Sequence, residues 1–361
     1  MKFSGDVKDF RFFLTFFLGF LIAIPLTYPS EPFYWFAIFS FCVAIFYINL
    51  GREDVLYFLL VFMLAILTLF ANLHSPLESK VNYISAVATS VTTLFFLFRF
   101  CLNDVERFLS GFLFVGKIYA LLVPVAFIIL APYHRYGNFF VNSEARMWAE
   151  GYFPEWPNVF CVFLILSFFI FFIRHAHFWA FLSLAAALLT TSRMALLGVV
   201  LFLIFYILNA TIKKRLLVIG FLFFSFSVIA IYLSSNEFLL DYIQFRLLKS
   251  DDRMIIFETL YATFSSYPFG IGNVPFYELS QAFDSYHSSF LKVAVRYGFL
   301  GVLFFIIIVT PRKFWIDKRS YCNLPLVFLL IVGLVQDMLL HLHFILLYSV
   351  FLKYREERLR D

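Results

Sequence analysis

The sequence predicts an all-α integral membrane protein with about twelve transmembrane helices. Hydrophobic residues make up 63% of the 361 residues and charged residues only 14%, whereas ordinary globular chains contain roughly 45–50% and 25%. Apolar runs long enough to cross ~30 Å of hydrocarbon recur along the whole chain. A soluble fold has no room to bury so much apolar surface. Most of the chain is therefore expected to lie in lipid.

The apolar runs predict the positions of the helices. Single spans are expected near residues 10–27, 32–50, 55–73, 82–101, 108–131, 158–174, 177–191, 194–209, 215–234 and 286–310. The first run lacks the small-residue cleavage site of a signal peptide, so it is expected to remain as a span. The segment 322–353 is too long for one span and is polar near its middle, so two short helices joined by a turn are expected.

The distribution of lysine and arginine predicts the orientation. Most of the 28 basic residues fall in alternate loops, which the positive-inside rule places in the cytoplasm together with both termini. Two long connections, 132–157 and 235–285, then face the periplasm. Residues 1–361 are therefore predicted to form a single polytopic membrane domain, with functional residues concentrated in these two periplasmic loops.

Charge and cysteine content argue against several other function classes. The net charge of +5 is distributed between apolar runs, so it indicates membrane topology rather than binding of nucleic acid. The 4 cysteines show no CxxC spacing, so neither a disulfide framework nor a zinc site is expected. The sequence contains no glycine-rich phosphate loop and no metal-ligand cluster, so no cofactor and no metal are predicted.

The first candidate site is TTSRMALLGVV, residues 190–200, where Arg193 lies at the periplasmic end of a predicted span. A plain helix start explains these residues, with Thr191 or Ser192 as the cap and Arg193 reaching the interface. However, a cation at a helix N-terminus opposes the helix dipole. A guanidinium here suits an anion such as a pyrophosphate, which it can bind through two parallel hydrogen bonds. Both interpretations stay open.

The second candidate site lies at the end of the second periplasmic loop. An amphipathic stretch, DDRMIIFETLYATF, begins near Arg253 and is expected to lie along the membrane interface. A sharp Tyr-Pro-Phe-Gly-Ile-Gly turn follows, containing Gly270 and Gly272, and His287 lies at the mouth of the next span. A single GxG is usually only a turn, and a single loop histidine is more often solvated than catalytic.

The third candidate site is the first periplasmic loop, residues 133–160, in which aromatic residues alternate with charged ones, including Arg146. Aromatic rings beside hydrogen-bonding groups suit the binding of sugars, whereas an aromatic belt at the membrane interface is the ordinary explanation. We favour the belt for any single aromatic residue and a function for Arg146.

A fourth candidate lies in the last predicted hairpin, where Asp337 and His341 are four residues apart. On a helix they share one face. Ionisable residues within a membrane are usually functional or mutually paired, so a structural pair and an active-site wall are both open.

Taken together, these stretches resemble the O-antigen ligase and polymerase superfamily of bacterial envelope enzymes. The residues that carry the resemblance are, in chain order, Arg146 with Gly151 and Pro157-Asn158; Ser192-Arg193-Met-Ala-Leu-Leu-Gly198; Arg253; Pro268-Phe-Gly270-Ile-Gly272; His287-Ser-Ser-Phe-Leu291; and Tyr297-Gly298-Phe-Leu-Gly301. The set covers residues 146–301. Family members often carry asparagine directly after the motif histidine, where this chain has Ser288.

The resemblance implies a GT-C-like glycosyltransferase that needs neither a metal nor a nucleotide. Such enzymes take a glycan from undecaprenyl pyrophosphate at the periplasmic face of the inner membrane and join it to an acceptor hydroxyl. In this interpretation Arg193 and Arg253 stabilise the pyrophosphate leaving group, and His287 orients or deprotonates the acceptor. The residues assigned to substrate binding are Arg146, Gly270, Gly272, Asp337 and His341.

Three functions follow from the resemblance and the spans. The short chain and the His-Ser-Ser-Phe form favour an O-antigen polymerase that extends repeat units. The alternative is an O-antigen ligase that transfers the glycan to lipid A core. A transporter or flippase for lipid-linked sugars is less favoured. Lys117 and Pro124 in one span are its best supporting features, but they have no counterpart in the other half of the chain. The implied partners are the lipid-linked donor, a glycan or lipid A core acceptor, membrane lipid and a chain-length regulator protein, without nucleic acid.

Overall fold

The structure, a computed structural model, describes the following parts of the chain: residues 15–20, 23, 104–130, 157–190, 192–216, 219–220, 251–271, 288–309, 321–335 and 342–358. Every regular element within these residues is helical, which confirms the predicted all-α class. The described helices are α1 (Val105–Leu130), α2 (Pro157–Ile173), α3 (His177–Leu189), α4 (Arg193–Asn209), α5 (Asp251–Ser266), α6 (Ser289–Val309), α7 (Leu324–Val335) and α8 (Leu342–Arg358), with a 3₁₀ turn at Tyr321–Asn323.

The helix bounds agree with the apolar runs wherever both can be compared. The spans predicted at 108–131, 158–174, 177–191, 194–209 and 286–310 correspond to α1, α2, α3, α4 and α6, with ends that differ by at most about three residues. The segment 322–353 does contain two helices, α7 and α8, as predicted. The spans predicted at 32–50, 55–73 and 82–101, most of 10–27 and 215–234, and nearly all of the loop 132–157 lie outside the described residues.

One segment of the described residues, Val105–Val125 in α1, is long and apolar enough to cross a bilayer. Four further apolar helical stretches are shorter: Phe160–Ile173, His177–Leu189, Met194–Asn209 and Tyr321–Leu334. These segments are consistent with a membrane protein, and the number of twelve spans stays a prediction.

The chain divides into two compact units, and the single domain predicted over residues 1–361 stays a prediction. The first unit comprises Met1–Val115, Ile256–Ile316 and Pro325–Asp361, and the second comprises Gly116–Ile255 and Asp317–Leu324. Helices α1 and α5 contribute residues to both units.

Helix α2 forms the centre of the second unit. Its sequence is apolar on every side, and a helix of this type is normally buried all round; the residues between Phe160 and Phe171 are indeed buried. Two glycines bring neighbouring helices close to it. A Cβ atom at Gly116 of α1 would lie 2.8 Å from the Ser167 hydroxyl, and one at Gly198 of α4 would lie 2.6 Å from the Ile165 side chain.

The outer faces of the same unit are apolar. In α4 the exposed residues recur every four positions, which places them along one side of the helix: Leu196, Val200, Ile204 and Leu208. In α3 the Phe178 and Phe181 side chains are exposed as well. Contiguous apolar surface of this kind marks contact with a membrane or a partner, which agrees with the membrane location predicted from composition.

In the first unit, α8 packs against the beginning of α1. The Phe112 and Phe351 rings meet edge to face with centroids 6.3 Å apart, and the Arg358 guanidinium forms a 3.0 Å salt bridge with Glu106. The apolar run predicts that the last helix ends near residue 353, with the basic residues beyond it in the cytoplasm. In the structure α8 continues to Arg358, and Arg355 within this extension is fully buried.

Candidate active site

The structure describes only part of the predicted site. Arg193 is the first residue of α4, Arg253 is the third residue of α5, and Gly270 follows α5 in a turn. For Arg193 and Arg253 the structure describes the backbone position in the helix and not the side chain. The other predicted site residues lie outside the described residues: Arg146, Gly272, His287, Asp337 and His341.

Ser192 caps the helix that begins with Arg193. Its backbone is extended, with φ −76° and ψ 138°, and its hydroxyl accepts a 3.2 Å hydrogen bond from the amide of Met194. Serine is among the preferred N-cap residues because its side chain satisfies one of the unpaired amides at a helix start. The prediction of a cap at Thr191 or Ser192 is therefore confirmed, with Ser192 as the cap.

A buried polar cluster holds this helix start in place. The Thr190 hydroxyl donates a 2.6 Å hydrogen bond to the carbonyl of Ala187, at the end of α3, and accepts one of 3.4 Å from the Ser192 amide. The Cys161 thiol of α2 donates to the same carbonyl at 3.9 Å and lies beside the Thr190 and Ser192 side chains. All three polar side chains are buried. Three helices are thus joined directly beside Arg193.

The end of α4 that carries Arg193 favours negative charge. The first amides of a helix lack intrahelical partners and point along the axis, where the helix dipole also attracts anions. A helix start of this kind is suited to a phosphate group. The Met194 amide is already hydrogen-bonded to Ser192. The group that this helix start has in addition to its backbone amides is the guanidinium of Arg193.

The turn after α5 bonds to α6 through its backbone. The Gly270 amide closes the turn by donating a 2.9 Å hydrogen bond to the Tyr267 carbonyl. The Ile271 amide donates to the Val295 carbonyl at 3.0 Å, and the Phe299 amide donates to the Pro268 carbonyl at 2.8 Å. The predicted Tyr-Pro-Phe-Gly turn is therefore confirmed, and it is attached to α6 by two bonds that run in opposite directions.

Helix α6 is broken at the point of attachment. Gly298 has φ 64° and ψ −161°, a conformation that is essentially restricted to glycine. A Cβ atom there would collide with the Pro268 carbonyl and the Phe269 backbone, and one at Gly270, where φ is 89°, would collide with the Arg296 carbonyl. The two glycines allow the turn and the helix to approach at backbone distance. We call this contact the backbone clasp: residues 267–271 against residues 295–299.

Ser288 explains one departure from the family pattern. This residue directly precedes α6, is buried, and its hydroxyl accepts a 3.4 Å hydrogen bond from the Leu291 amide. Asparagine, which the family often carries here, and serine are about equally good N-caps. Ser288 therefore caps the start of α6.

Neither the polar cluster nor the clasp is predicted from the sequence. Both depend on contacts between residues far apart in the chain, such as Cys161 with Thr190 and Pro268 with Phe299. A local signal was present only for the clasp, because Gly298 interrupts an otherwise apolar helical run. Within the described residues, no group of three or more His, Cys, Asp and Glu side chains is arranged to hold a metal ion.

The apolar helices indicate a helical membrane protein. Residues 178–306 match the model of a family described as O-antigen ligase. This segment runs from α3 to α6 and includes Arg193, Arg253, His287 and the clasp. The match confirms the predicted resemblance to the O-antigen ligase and polymerase superfamily and agrees with glycosyltransferase- or ligase-type activity in general. The chain matches none of the curated proteins and none of the solved structures with which it was compared.

Proposed function

We propose that the protein is an O-antigen polymerase of the bacterial inner membrane. In this proposal it joins undecaprenyl-pyrophosphate-linked repeat units into polysaccharide on the periplasmic face. The observation that carries the glycosyltransferase part of the proposal is the family match over residues 178–306, a segment that contains Arg193, Arg253 and His287 in the expected order. The capped helix start at Arg193 supports it, because that end of α4 is suited to a phosphate.

The proposed reaction is a displacement at the anomeric carbon of the donor glycan. The bond from this carbon to the pyrophosphate oxygen breaks, and a bond to the acceptor oxygen forms. The leaving group takes the electron pair and becomes undecaprenyl pyrophosphate, whose added negative charge Arg193 and Arg253 stabilise. If His287 acts as a general base, it takes the proton of the acceptor hydroxyl. If His287 only forms a hydrogen bond to the acceptor, the proton passes to solvent. The residues proposed to bind the glycan are Arg146, Gly272, Asp337 and His341.

Transfer to lipid A core is the second candidate function. The description of the matched family, O-antigen ligase, favours it, whereas the short chain and the His-Ser-Ser-Phe sequence favour the polymerase. The lipopolysaccharide banding of a deletion strain separates them. We expect a single repeat unit on core, which is the phenotype of a missing polymerase. Complete loss of core-linked glycan, with polymer accumulating on undecaprenyl pyrophosphate, would assign the ligase function instead.

Lys117, one of the two transporter-like residues, contacts an aromatic ring within the protein. Lys117 lies in the middle of α1, and its ammonium group lies 5.3 Å from the centroid of the Trp179 ring in α3. A cation over an indole face is stabilised by the ring quadrupole. The charge of Lys117 is therefore accounted for by a contact within the protein, without a transported substrate.

The proposed topology has twelve spans with both termini in the cytoplasm. The Glu106–Arg358 salt bridge supports it, because it brings the start of α1 and the end of α8 together, and both ends are predicted to be cytoplasmic. A reporter enzyme that works only in the cytoplasm should be active when it is fused after Asp361. Activity of a periplasm-dependent reporter at that position would contradict the topology.

A chain-length regulator is a further proposed partner. Failure of the two proteins to co-purify from crosslinked membranes would argue against this partner.

A further inference from the structure

We propose that the backbone clasp is a positioning device for the residues that precede it in α6. The clasp fixes the segment Ser289–Tyr297, which follows directly after His287 and the cap Ser288. The inference rests on the proposed function, in which His287 acts on the acceptor hydroxyl. Gly270 and Gly298 are then positioning residues, so Gly270 acts through α6 rather than by touching the glycan.

The hydrogen bonds of the clasp replace one bond of the helix. In an uninterrupted α-helix the Phe299 amide donates to the Val295 carbonyl, four residues earlier. Here the Phe299 amide donates to Pro268 and the Val295 carbonyl accepts from Ile271. The turn therefore occupies the place of a helical bond and satisfies both groups that the break would otherwise leave unpaired. The break and the docked turn depend on each other.

The two aromatic side chains of the turn contribute little to holding it. Phe269 is 79% exposed and Tyr267 is 57% exposed, so neither ring is buried against α6. In contrast, Val293 and Val295 on the helical segment are buried. The turn and α6 are joined by main-chain hydrogen bonds, so each restricts the position of the other.

Both glycines are required for different reasons. The conformation of Gly298 is closed to residues with a side chain, so alanine there favours a continuous helix in which Phe299 bonds to Val295 again. The turn then loses both partners while the helix keeps its hydrogen bonds. Alanine at Gly270 acts from the other side, because its Cβ atom would collide with the Arg296 carbonyl. Either substitution is expected to release the turn and change the direction of the segment that follows His287.

Kinetics of purified protein test this inference. The probe is undecaprenyl-pyrophosphate-linked repeat unit purified from a polymerase-deficient strain, used as donor and acceptor, and rates are normalised to folded protein. We expect Gly298→Ala and Gly270→Ala each to lower kcat about 100-fold with little change in the KM of the donor, since a misplacement of about 1 Å has this effect on catalysis. The double variant should be no worse than either single variant, because both remove the same contact. Gly220→Ala is the matched control, since its Cβ atom would meet nothing within 4 Å.

Hydrogen exchange of the same variants reports on the clasp itself. Release of the turn should make the Ile271 amide exchange faster in Gly298→Ala, whereas Gly220→Ala should leave it unchanged. Glycine variants with wild-type kcat would overturn the positioning role, and so would loss of both variants from the membrane, which would show a role in folding only. An inactive wild-type protein would instead refute the proposed function, and the positioning role would fall with it.

Discussion

Replacement of either Arg193 or Arg253 by alanine is expected to abolish polymer formation while the protein still inserts and accumulates. Removal of one preorganised donor from a developing anion typically lowers the rate by about 100- to 1000-fold. Arg193 is the residue for which this expectation is most direct, because it begins α4 next to the cap Ser192. Lipopolysaccharide banding of complemented deletion strains, with immunoblots for protein level, measures the effect.

Lysine substitutions at the two arginines and an alanine substitution at a lysine outside the proposed site serve as controls for this experiment. Lysine at either site should restore activity only in part, since it supplies a point charge where a planar guanidinium can bind two oxygens. Lys213→Ala should have no effect, because Lys213 is an exposed cation beyond the other end of α4. Near-normal banding from both alanine variants would remove the pyrophosphate role of the arginines.

Substitution of His287 by glutamine is expected to stop turnover while the lipid-linked donor still binds. A general base must be deprotonated, so wild-type activity should fall as the pH decreases through the ordinary range of histidine, with a pKa of about 6.5. Assays of wild type and His287→Gln between about pH 5 and 8 measure both effects. If His287 only holds the acceptor through a hydrogen bond, glutamine should keep much of the activity and the pH dependence should be weak.

A second histidine provides the control for the pH experiment. His177 is exposed at the start of α3 and has no role in the proposed reaction, so His177→Gln should keep the wild-type pH profile. A His287→Gln variant with the wild-type rate at every pH would reduce His287 to an ordinary loop histidine. The acid–base role would then pass to Asp284, Glu258 or Glu278, of which Glu258 is exposed on α5.

The helices could be predicted from the sequence because their signal is local. The runs that form α1 to α4 are mostly apolar, and polar or charged residues are concentrated near their ends, so composition largely marks where each helix begins and ends. The cap at Ser192 was equally accessible, since serine directly before an apolar periodic run is a helix start signal. Such features need no knowledge of the rest of the fold.

The break in α6 and the burial of Arg355 could not be predicted in this way. The residues around Gly298 form an apolar run that favours an uninterrupted helix, and the break depends on a turn about thirty residues earlier in the chain. The basic residues near Arg355 are typical of a cytoplasmic tail, yet tertiary packing extends α8 through them. In both cases a contact between distant residues overrides the local preference.

The clasp also bears on how the protein can change over time. Its bonds join main-chain atoms, so the identities of Tyr267 and Phe269 are not constrained by them, and both side chains are exposed. Substitutions at these two positions, whether natural or in a designed library, can therefore alter the exposed surface of the turn without changing its backbone conformation. We therefore expect substitutions to be tolerated at positions 267 and 269 but not at positions 270 and 298. The exposed side chains of this segment can then vary while its backbone conformation stays the same.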